Sequence, residues 1–347
     1  MEELALNNQS SHKLHIVVYS STFSPNVGGL EYMMKALSRQ WALSGHNVTV
    51  ITPIPVGSDK DERFTFNVIR TNSIVSLFKI ARRADVFIEA NISLKTALVG
   101  CLLRKKWWVI HHVHYQHGST WTGKLKNRLT YLSKNISVSH FIARTLAGSS
   151  NIIHNCFASE IFYNNASRER TKELLFVGRL VSDKGIHFLL DLFLQVKVVY
   201  PSISLTIVGS GPEESYVKSF IEKHHLQNAL FLKGSLDPAS TAQEYQSHQI
   251  LLVPSLWEEP FGVIILEGLA CGIHVIASKI GGIPEAGQEF VVYKEPGRMD
   301  VWIEAINQFM IGGTQQNIEV DNWLRSRTEE NVADEYIQLF KSKKALN

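Results

Sequence analysis

Residues 250–267 read Ile-Leu-Leu-Val-Pro-Ser-Leu-Trp-Glu-Glu-Pro-Phe-Gly-Val-Ile-Ile-Leu-Glu, and this stretch predicts a strand, a loop and a helix in succession. The apolar run Ile250–Pro254 is short and typical of a strand that is buried in a parallel sheet. Pro260 suits the first position of a helix, because its missing N–H costs nothing there, and Gly272 suits the end. We therefore predict a helix over about 261–271.

Two carboxylates flank this loop and helix. Glu259 lies at the predicted helix start, beside N–H groups without an intrahelical partner, and Glu267 lies about two turns further along. The helix macrodipole favours an acid at that start without any function, which accounts for Glu259 alone. However, the Trp-Glu-Glu-Pro-Phe-Gly loop directly follows a buried strand, where open α/β sheets place their ligands. We therefore interpret the two carboxylates as part of a ligand site.

Strands and helices alternate in both halves of the chain. In the first half, the strand Leu14–Ser20 precedes a helical stripe of apolar residues, and the strand Val48–Ile51 follows. In the second half, the strand Glu173–Val177 precedes a helix over Ile186–Val199. Further strands are predicted at Val86–Glu89, Trp107–His111, Asn135–Ser139, Leu205–Val208, Leu230–Leu232 and His274–Ser278. The pattern predicts an α/β protein of two doubly wound domains.

The length of 347 residues also favours two domains. The polar segment Ala158–Lys172 has no periodic apolar face, so we expect it to connect them. The first domain is placed at residues 1–158 and the second at residues 171–327. A helical pattern of apolar residues within 328–347 predicts a separate terminal helix.

Composition excludes several classes of protein. The net charge of +3 is too small to indicate a nucleic-acid partner. Cys101, Cys156 and Cys271 are widely spaced and odd in number, which favours a reducing compartment over a disulfide framework. The chain has no apolar run of the ~20 residues that cross a bilayer. The basic and aromatic run Arg104–Trp108 could contact a membrane, but its tryptophans fit the following strand better. We expect a soluble, cytoplasmic protein.

A second candidate site is the loop Val177–Gly185, which reads Val-Gly-Arg-Leu-Val-Ser-Asp-Lys-Gly between a predicted strand and helix. Arg179 can bind phosphate oxygens through two parallel hydrogen bonds, while Lys184 supplies a point charge. The start of the helix adds N–H donors. If these two cations were the only feature, we would interpret the segment as a solvated loop with incidental charges. The position after the domain's first strand favours a phosphate site.

A third candidate is the loop at Gly28 and Gly29, again between a strand and a helix. Glycine permits close approach of the backbone to a ligand. Alone, two glycines indicate a structural turn. Because both halves place such a loop after their first strand, we expect a ligand that is held by both domains.

Four histidines end the strand near residue 110: His111, His112, His114 and His117. On a strand, His112 and His114 would point the same way, as metal ligands do. No nearby Asp, Glu or Cys completes a ligand set, so we expect no metal. A histidine at this strand end suits a polar contact with substrate. A structural role, with the histidines hydrogen-bonded at a domain interface, is an equally favoured alternative.

Four motifs, in order, resemble those of the retaining GT-B glycosyltransferases of glycosyltransferase family 4, the group 1 glycosyl transferases. Glu259-Pro-Phe-Gly through Glu267 resembles their Glu-x7-Glu motif, and Val177–Gly185 their Gly-Arg-Leu-x-x-x-Lys-Gly element. The Gly28-Gly29 loop, with its helix and the following Gly-His-x-Val strand, is similar to their N-terminal segment. Gly281-Gly-Ile-Pro-Glu285 resembles their Gly-Gly-x-Pro-Glu loop. The resemblance implies two Rossmann-like domains that face a central cleft.

The resemblance also implies roles for residues of the second domain, the nucleotide-sugar donor domain. Arg179 and Lys184 would hold the donor diphosphate and stabilise the departing nucleoside diphosphate. Glu259 would hold hydroxyls of the donor sugar, and Glu267 would bind the nucleotide ribose. Backbone N–H groups would also hold the sugar, namely those of Phe261, Gly262 and Val263.

In the first, acceptor-side domain, the resemblance implies that Gly28 and Gly29 approach the phosphates. His114, or less favourably His112, would lie near the donor sugar. Two departures affect this domain. Residues 154–158 replace the family's Pro-Asn-Gly-Val-Asp, and Tyr115 follows His114 where many members have Asp. The terminal helix would cross back to this domain.

The implied function is transfer of a sugar from a UDP- or GDP-linked donor to a hydroxyl acceptor, with retention of configuration and without a metal or other cofactor. The acceptor would be a glycan, a lipid-linked sugar or a small molecule. A lipid-linked acceptor would bring the enzyme to the inner face of the membrane as a peripheral protein. Two alternatives share the fold: a nucleotide-sugar epimerase and a non-catalytic subunit that binds nucleotide sugars.

Overall fold

The computed structural model describes residues 13–26, 28–56, 63–115, 120–165, 167–312 and 319–344. In this part of the chain, two parallel sheets form, each in one of two compact units. Unit 1 contains the described residues up to Ser137, Ala143–Ile153 and those from Ala333 onward. Unit 2 contains Val138–Ile142 and His154–Val332.

The sheet of unit 1 has seven described strands, which pair in parallel. They are β1 (His15–Ser20), β2 (Asn47–Thr52), β3 (Asn67–Arg70), β4 (Val86–Ala90), β5 (Trp107–His111), β6 (Lys134–Ser137) and β7 (Ser150–Ile152). Their order is β3-β2-β1-β4-β5-β6-β7. The chain therefore winds outward from β1 in one direction and then returns to pair β4 with β1. This reversal makes the β1–β4 junction the switch point of the sheet.

The described helices between these strands are α1 (Gly29–Leu43), α2 (Ile74–Ala81), α3 (Ala97–Leu102), α4 (Trp121–Leu129) and α5 (His140–Thr145). The central strands are apolar on both faces, as a sheet covered by helices requires. One core cluster contains Val17 of β1, Phe87 of β4 and Trp107 of β5, all with no exposed surface.

An acid, Glu89, lies within this core. Glu89 of β4 has no exposed surface, and the indole Nε1 of Trp107 donates to its Oε2 at 3.2 Å. Its Oε1 has no hydrogen-bond partner among the described residues. Burial raises the pKa of this carboxyl to about 7, against the opposing effect of hydrogen bonds from Thr96 and Trp107.

The sheet of unit 2 has six described strands: β8 (Lys172–Val177), β9 (Leu205–Val208), β10 (Leu230–Leu232), β11 (His248–Val253), β12 (His274–Ser278) and β13 (Val292–Lys294). Their order is β10-β9-β8-β11-β12-β13, again with parallel pairing. The switch point of this sheet lies between β8 and β11. Both sheets thus have the same winding.

The helices of unit 2 begin with α6 (Ile186–Val199), α7 (Glu214–Lys223) and α8 (Pro238–Ser247), and continue with α9 (Val263–Ala270), α10 (Ile283–Gly287), α11 (Met299–Gly312) and α12 (Glu319–Ser326). Leu189 and Phe193 of α6 pack in one buried cluster with Trp302 of α11. The indole of Trp302 donates to the backbone oxygen of Glu295 at 3.0 Å, so its polar atom is satisfied.

The last helix, α13 (Glu329–Lys344), contributes its residues from Ala333 onward to unit 1. Trp41 of α1 donates through Nε1 to the backbone oxygen of Ala333 at 3.1 Å. The Trp41 ring also lies edge-on to Tyr336 and Phe340, with ring centroids 5.8 and 6.0 Å apart. This part of α13 is therefore a component of the unit 1 core. The domain division at residues 158–171, which was predicted from polarity, stays a prediction. The two compact units meet in the sequence between Ile153 and His154.

The predicted α/β class with two doubly wound, Rossmann-like domains is confirmed. Helix 186–199 and the strands at 107–111, 205–208, 230–232 and 274–278 have the predicted bounds. The helix after Pro260 does not, because Gly262 adopts a φ of 100° and α9 begins only at Val263. None of the helices in the described ranges is long and apolar enough to cross a bilayer.

Candidate functional site

The switch point of unit 2 brings together two loops that lie far apart in the sequence. The loop after β8 carries Arg179 and Lys184, and the loop after β11 carries Glu259. Because β8 and β11 are adjacent and their following connections diverge, a crevice forms at their carboxyl ends. Two of the residue groups predicted from sequence therefore share one site.

An ion pair lies at the centre of this site. Lys184 Nζ is 2.7 Å from Glu259 Oε2, and the two side chains are 21% and 8% exposed. The hydroxyl of Ser255 donates to Glu259 Oε1. Both carboxylate oxygens are thus engaged, which offsets part of the cost of burying the charges. The pair thus ties the loop after β8 to the loop after β11.

Glycines fix the Glu259 loop from one side. The backbone N–H of Gly282 donates to the Glu259 carbonyl at 2.7 Å. A Cβ added at Gly281 would lie 2.6 Å from that same oxygen, and one at Gly282 would lie 2.1 Å from the Pro260 oxygen. The Gly281-Gly282 pair is therefore required for close backbone contact with the loop.

Contacts at the other side join the two loops. Gly185 has a φ of 76°, and an added Cβ would lie 2.0 Å from the backbone oxygen of Pro254 at the end of β11. The N–H of Leu256 donates to the Asp183 carbonyl at 2.9 Å. The sequence element Ser-Asp-Lys-Gly thus serves to hold Lys184 against the second loop.

Arg179 differs from Lys184. Its side chain is exposed, and its guanidinium forms no hydrogen bond or ion pair with the described residues. A planar fork of donors that is free in this way suits an anionic ligand. Among the described residues, the site therefore offers one cation that is paired, Lys184, and one that is not, Arg179.

The start of α9 contributes backbone donors. The first N–H groups of a helix have no partner within it, and they include that of Val263. Phe261 is buried, with its ring stacked on His154 at a centroid distance of 5.3 Å. Pro260 precedes the helix rather than opening it, and its carbonyl accepts a hydrogen bond from the Ser139 hydroxyl at 2.6 Å. Tertiary contacts thus set the helix start.

Glu267 lies on α9 and is half-buried. The hydroxyl of Tyr245 donates to its Oε2 at 3.1 Å. Burial raises the pKa of the Glu267 carboxyl to about 7, while this hydrogen bond acts in the opposite direction. Near neutral pH, Glu267 can therefore accept or donate a hydrogen bond to a ligand hydroxyl.

Unit 1 has a cavity of about 410 Å³ at its own switch point. The residues that follow β1, β4 and β5 line it, including Ser21, Asn91, Ser93 and His114, and Lys126 of α4 lies on its wall. Hydroxyl, amide and imidazole groups predominate. The cavity suits a polar ligand that carries hydroxyls.

The histidines near this cavity have different surroundings. His111 is fully buried, and its ring nitrogens contact the Tyr115 hydroxyl at 2.9 Å and Asn135 Oδ1 at 3.0 Å. Burial lowers the pKa of His111 to about 4 and that of His112 to about 3. His114 alone of these three lines the cavity. His117 lies outside the described residues, within which no group of three acidic, histidine or cysteine side chains could hold a metal ion.

The loop at Gly28 and Gly29 is exposed. An added Cβ at Gly29 would meet nothing within 4 Å, whereas one at Gly28 would lie 2.6 Å from Glu31 Oε2. Glu31 is in the first turn of α1, where the macrodipole favours it, and it accepts a hydrogen bond from Thr22. A carboxylate therefore lies beside the loop that was predicted to approach phosphates.

Sequence reasoning did not assign a role to Glu285, the last residue of the Gly-Gly-x-Pro-Glu motif. Its carboxylate accepts from the N–H groups of His140 and Phe141 at 2.6 and 2.8 Å, and lies 3.1 Å from His154 Nε2. These contacts, led in strength by the His154 hydrogen bond, lower its pKa despite burial. Glu285 thus anchors residues 138–142 and, through them, the Pro260 carbonyl.

Comparison with known proteins agrees with this architecture. Residues 158–322 match the family profile described as Glycosyl transferases group 1. The chain therefore contains a group 1 glycosyltransferase domain, which accounts for most of unit 2.

One similar protein is the phosphatidylinositol N-acetylglucosaminyltransferase GPI3 subunit of Saccharomyces cerevisiae. It is 24% identical over 337 residues, which cover 85% of this chain and 74% of that protein.

Two solved structures share the fold. Anabaena HepE in complex with UDP and glucose superposes with a TM-score of 0.78 at 18% identity, over 95% of this chain and 100% of that chain. Sucrose-phosphate synthase from Thermosynechococcus elongatus gives 0.78 at 19% identity, over 96% and 100%. The pair of Rossmann-like domains is thus that of GT-B glycosyltransferase structures.

Proposed function

We propose that this chain is a retaining glycosyltransferase that moves a sugar from a UDP-linked donor to a hydroxyl acceptor without a metal ion. One observation carries the proposal: Lys184, Glu259 and Arg179 come together at the switch point of the group 1 domain, and the Arg179 guanidinium has no partner among the described residues. Such a crevice is where α/β domains bind nucleotides.

The two cations stabilise the leaving group. When the bond between the sugar and the diphosphate breaks, negative charge grows on the diphosphate. Arg179 and Lys184 meet that charge, and the N–H groups at the start of α9 add to it. Each charge-assisted contact contributes roughly 1.5–3 kcal/mol. These groups supply the positive charge that a divalent cation would otherwise provide.

Glu259 orients Lys184 before the donor arrives. Because the ammonium is already paired and half-buried, little side-chain freedom remains to be lost on binding. We assign Glu259, with the backbone N–H groups of Phe261, Gly262 and Val263, to the donor sugar. Glu267 is assigned to the ribose hydroxyls.

Retention follows from attack by the acceptor hydroxyl on the face that the diphosphate leaves. The departing diphosphate takes up the hydroxyl proton, so no enzyme nucleophile is needed. His114 is assigned to a polar contact near the transferred sugar, and Gly28 and Gly29 to approach of the donor phosphates from unit 1. The Glu31 carboxylate beside that loop makes this last assignment the one to test first.

The similar proteins suggest a donor and an acceptor. UDP and glucose are bound in the Anabaena structure, and the yeast protein is named for transfer of N-acetylglucosamine to phosphatidylinositol. We propose UDP-N-acetylglucosamine as donor and a lipid-linked acceptor, used at the inner face of a membrane. Since the yeast protein is named as a subunit, we also propose a protein partner.

A transfer assay and a thermal-shift screen test the proposal. The full chain is incubated with UDP-, GDP- and ADP-sugars and with lipid acceptors, with and without EDTA. We expect UDP-sugars to raise the melting temperature, since a ligand that binds only the folded state stabilises it. Product should form equally in EDTA, with the anomeric configuration of the donor.

Other outcomes would identify the alternatives. If the sugar of the donor is converted without any acceptor present, the chain is an epimerase and not a transferase. Binding of UDP-sugars without turnover, in the presence of all partners, would indicate a non-catalytic binding subunit. An inverted product, or activity that EDTA abolishes, would contradict the corresponding part of the proposal.

A further inference from the structure

Acidic residues are absent from a long part of the sequence around α4. Between Glu89 and Glu160, residues 90–159 contain no Asp or Glu. The same residues contain nine cations: Lys95, Arg104, Lys105, Lys106, Lys124, Lys126, Arg128, Lys134 and Arg144. The whole chain has 35 basic and 32 acidic residues, so this segment departs sharply from the average. Its charge favours an anionic partner.

The helix α4 presents an unusual face to solvent. Trp121, Lys124, Leu125 and Arg128 follow the spacing i, i+3, i+4, i+7 and are all exposed. Trp121 is 72% exposed, and the turn after the helix adds Tyr131 at 70%. We call Trp121, Lys124, Leu125 and Arg128, with Tyr131 and Leu132, the outer face of α4. A surface helix normally directs its aromatic and aliphatic residues inward.

The opposite side of α4 is fixed to unit 1. Leu129 packs against the core, and Asn127 Nδ2 donates to the Thr145 carbonyl at 3.0 Å. An added Cβ at Gly123 would lie 2.4 Å from the Tyr115 carbonyl, so the helix lies directly on the loop after β5. The outer face cannot turn inward without breaking these contacts.

We propose that the outer face of α4 binds the surface of a membrane that contains anionic lipids. Tryptophan and tyrosine favour the interface between headgroups and acyl chains, and the two exposed cations favour anionic headgroups. The carboxylates of an acidic protein could pair with these cations. They would not accommodate the exposed Trp121 and Tyr131 side chains, which the membrane interface does. The run Arg104–Trp108 does not provide this membrane contact, because its tryptophans, Trp107 and Trp108, are buried in β5.

Vesicle co-sedimentation of the full chain tests the proposal. Vesicles of phosphatidylcholine alone are compared with vesicles of about one-third phosphatidylglycerol, without nucleotide or sugar acceptor. We expect binding to the anionic vesicles only, weakened by salt because the charges are exposed. Lys124→Ala with Arg128→Ala should lower the partition coefficient roughly 25-fold, since each interfacial cation contributes about fivefold.

The matched control is Lys79→Ala with Arg83→Ala, which removes two exposed cations from α2 and the turn after it. This variant should bind nearly as well as the unchanged protein. Equal loss in both double variants would overturn the proposal, because attraction would then be spread over the whole chain. Absence of binding by the unchanged protein, or stronger capture by duplex DNA at equal phosphate concentration, would also overturn it.

Brominated lipids locate the contact. Bromine on the acyl chains quenches a tryptophan that enters the interface, and Trp121→Phe should remove that quenching while sedimentation persists. Quenching that survives this substitution would overturn the assignment to α4. Because no donor is present, failure here leaves the proposed transferase intact, and loss of transfer activity leaves the vesicle result intact.

Discussion

The two units wind their sheets in the same order but equip the switch point differently. In unit 2 the crevice between β8 and β11 holds the Lys184–Glu259 ion pair beside an exposed arginine. In unit 1 the cavity between β1 and β4 is lined mainly by hydroxyl, amide and imidazole groups. One topology thus supports a charged site, which we propose for a diphosphate, and a cavity of mostly uncharged polar groups, which we propose for a hydroxyl compound. The winding fixes the place of a ligand, and the loops fix its chemistry.

The units also share a second feature. Each contains an acid whose pKa burial raises to about 7, and in each an aromatic side chain donates to it. Trp107 donates to Glu89 in the core of unit 1, and Tyr245 donates to Glu267 on α9 in unit 2. Glu89 is sealed from solvent, whereas Glu267 is half-buried beside the proposed donor site.

The largest expected effect is at the ion pair. Lys184→Ala should lower kcat/KM about a thousandfold, because an electrostatic contact to the leaving group is removed and Glu259 is left without its cation. The measurement is steady-state transfer, with UDP affinity by calorimetry. Lys172→Ala is the matched control. Lys172 Nζ lies 3.2 Å from Glu244 Oε2, and this ion pair is outside the crevice. Similar loss in both variants would remove the distinction between the two lysines.

The next effect concerns pH and the buried acid of unit 1. Since the folded state raises the pKa of Glu89 from 4.5 to about 7, folding keeps its proton while the unfolded chain releases it. Stability is therefore greatest below pH 4.5 as far as this group is concerned, and falls as pH rises toward 7. The loss is roughly 3 kcal/mol at 1.36 kcal/mol per pKa unit.

Denaturation of Glu89→Gln by urea, near pH 5 and near pH 8, measures this contribution. The substitution should remove about 2.5 kcal/mol of the pH dependence of stability between these two pH values, because part of the effect is already lost at pH 5. Glu267→Gln is the companion variant, and it should also flatten the profile, with an added loss of UDP affinity. A profile that Glu89→Gln leaves unchanged would show that Glu89 is ionised in the folded protein.

Arg179 should have a smaller effect on turnover than Lys184. Arg179→Ala is expected to lower kcat/KM about a hundredfold and to leave the melting temperature unchanged, because the guanidinium has no partner in the described part of the protein. Arg179→Lys should recover part of the rate, since it restores the charge without the planar fork. Full activity of Arg179→Ala would exclude contact with the diphosphate.

The smallest expected effect comes from the unit 1 cavity. His114→Ala should lower kcat about tenfold at unchanged UDP affinity, as expected for one polar contact with the sugar. His112→Ala is the comparison, and because its side chain is buried, its effect should be on stability. The reverse pattern would transfer the assignment from His114 to His112.

The sequence predicted those elements whose limits are set locally. Helix 186–199 lies between Gly185 and a polar turn, and the strands at 205–208 and 274–278 are short apolar runs. Several described helices were not predicted, namely α2, α3, α4, α5, α10, α11 and α12. The predicted start of α9 was wrong for a reason that is not local. Gly262 has a positive φ, and the loop before it is held by contacts with Gly281, Gly282 and Ser139, which are distant in sequence.

The candidate site could be predicted as a set of residues but not as an arrangement. Arg179, Lys184 and Glu259 were identified from motifs, whereas the Lys184–Glu259 pairing depends on the adjacency of β8 and β11. The partners Ser255 and Tyr245 carry no motif of their own. The Glu31 carboxylate beside Gly28 was visible in the sequence only as a favourable first-turn acid.

The contact of Trp41 with Ala333, Tyr336 and Phe340 has a consequence for the order of folding during synthesis. The ribosome delivers all of unit 2 up to Val332 before it delivers these partners of α1. The first unit to emerge is thus the last to complete its core. Until then the indole of Trp41 has no partner at Ala333, which makes the nascent first unit a natural client for a chaperone that binds exposed aromatic surface.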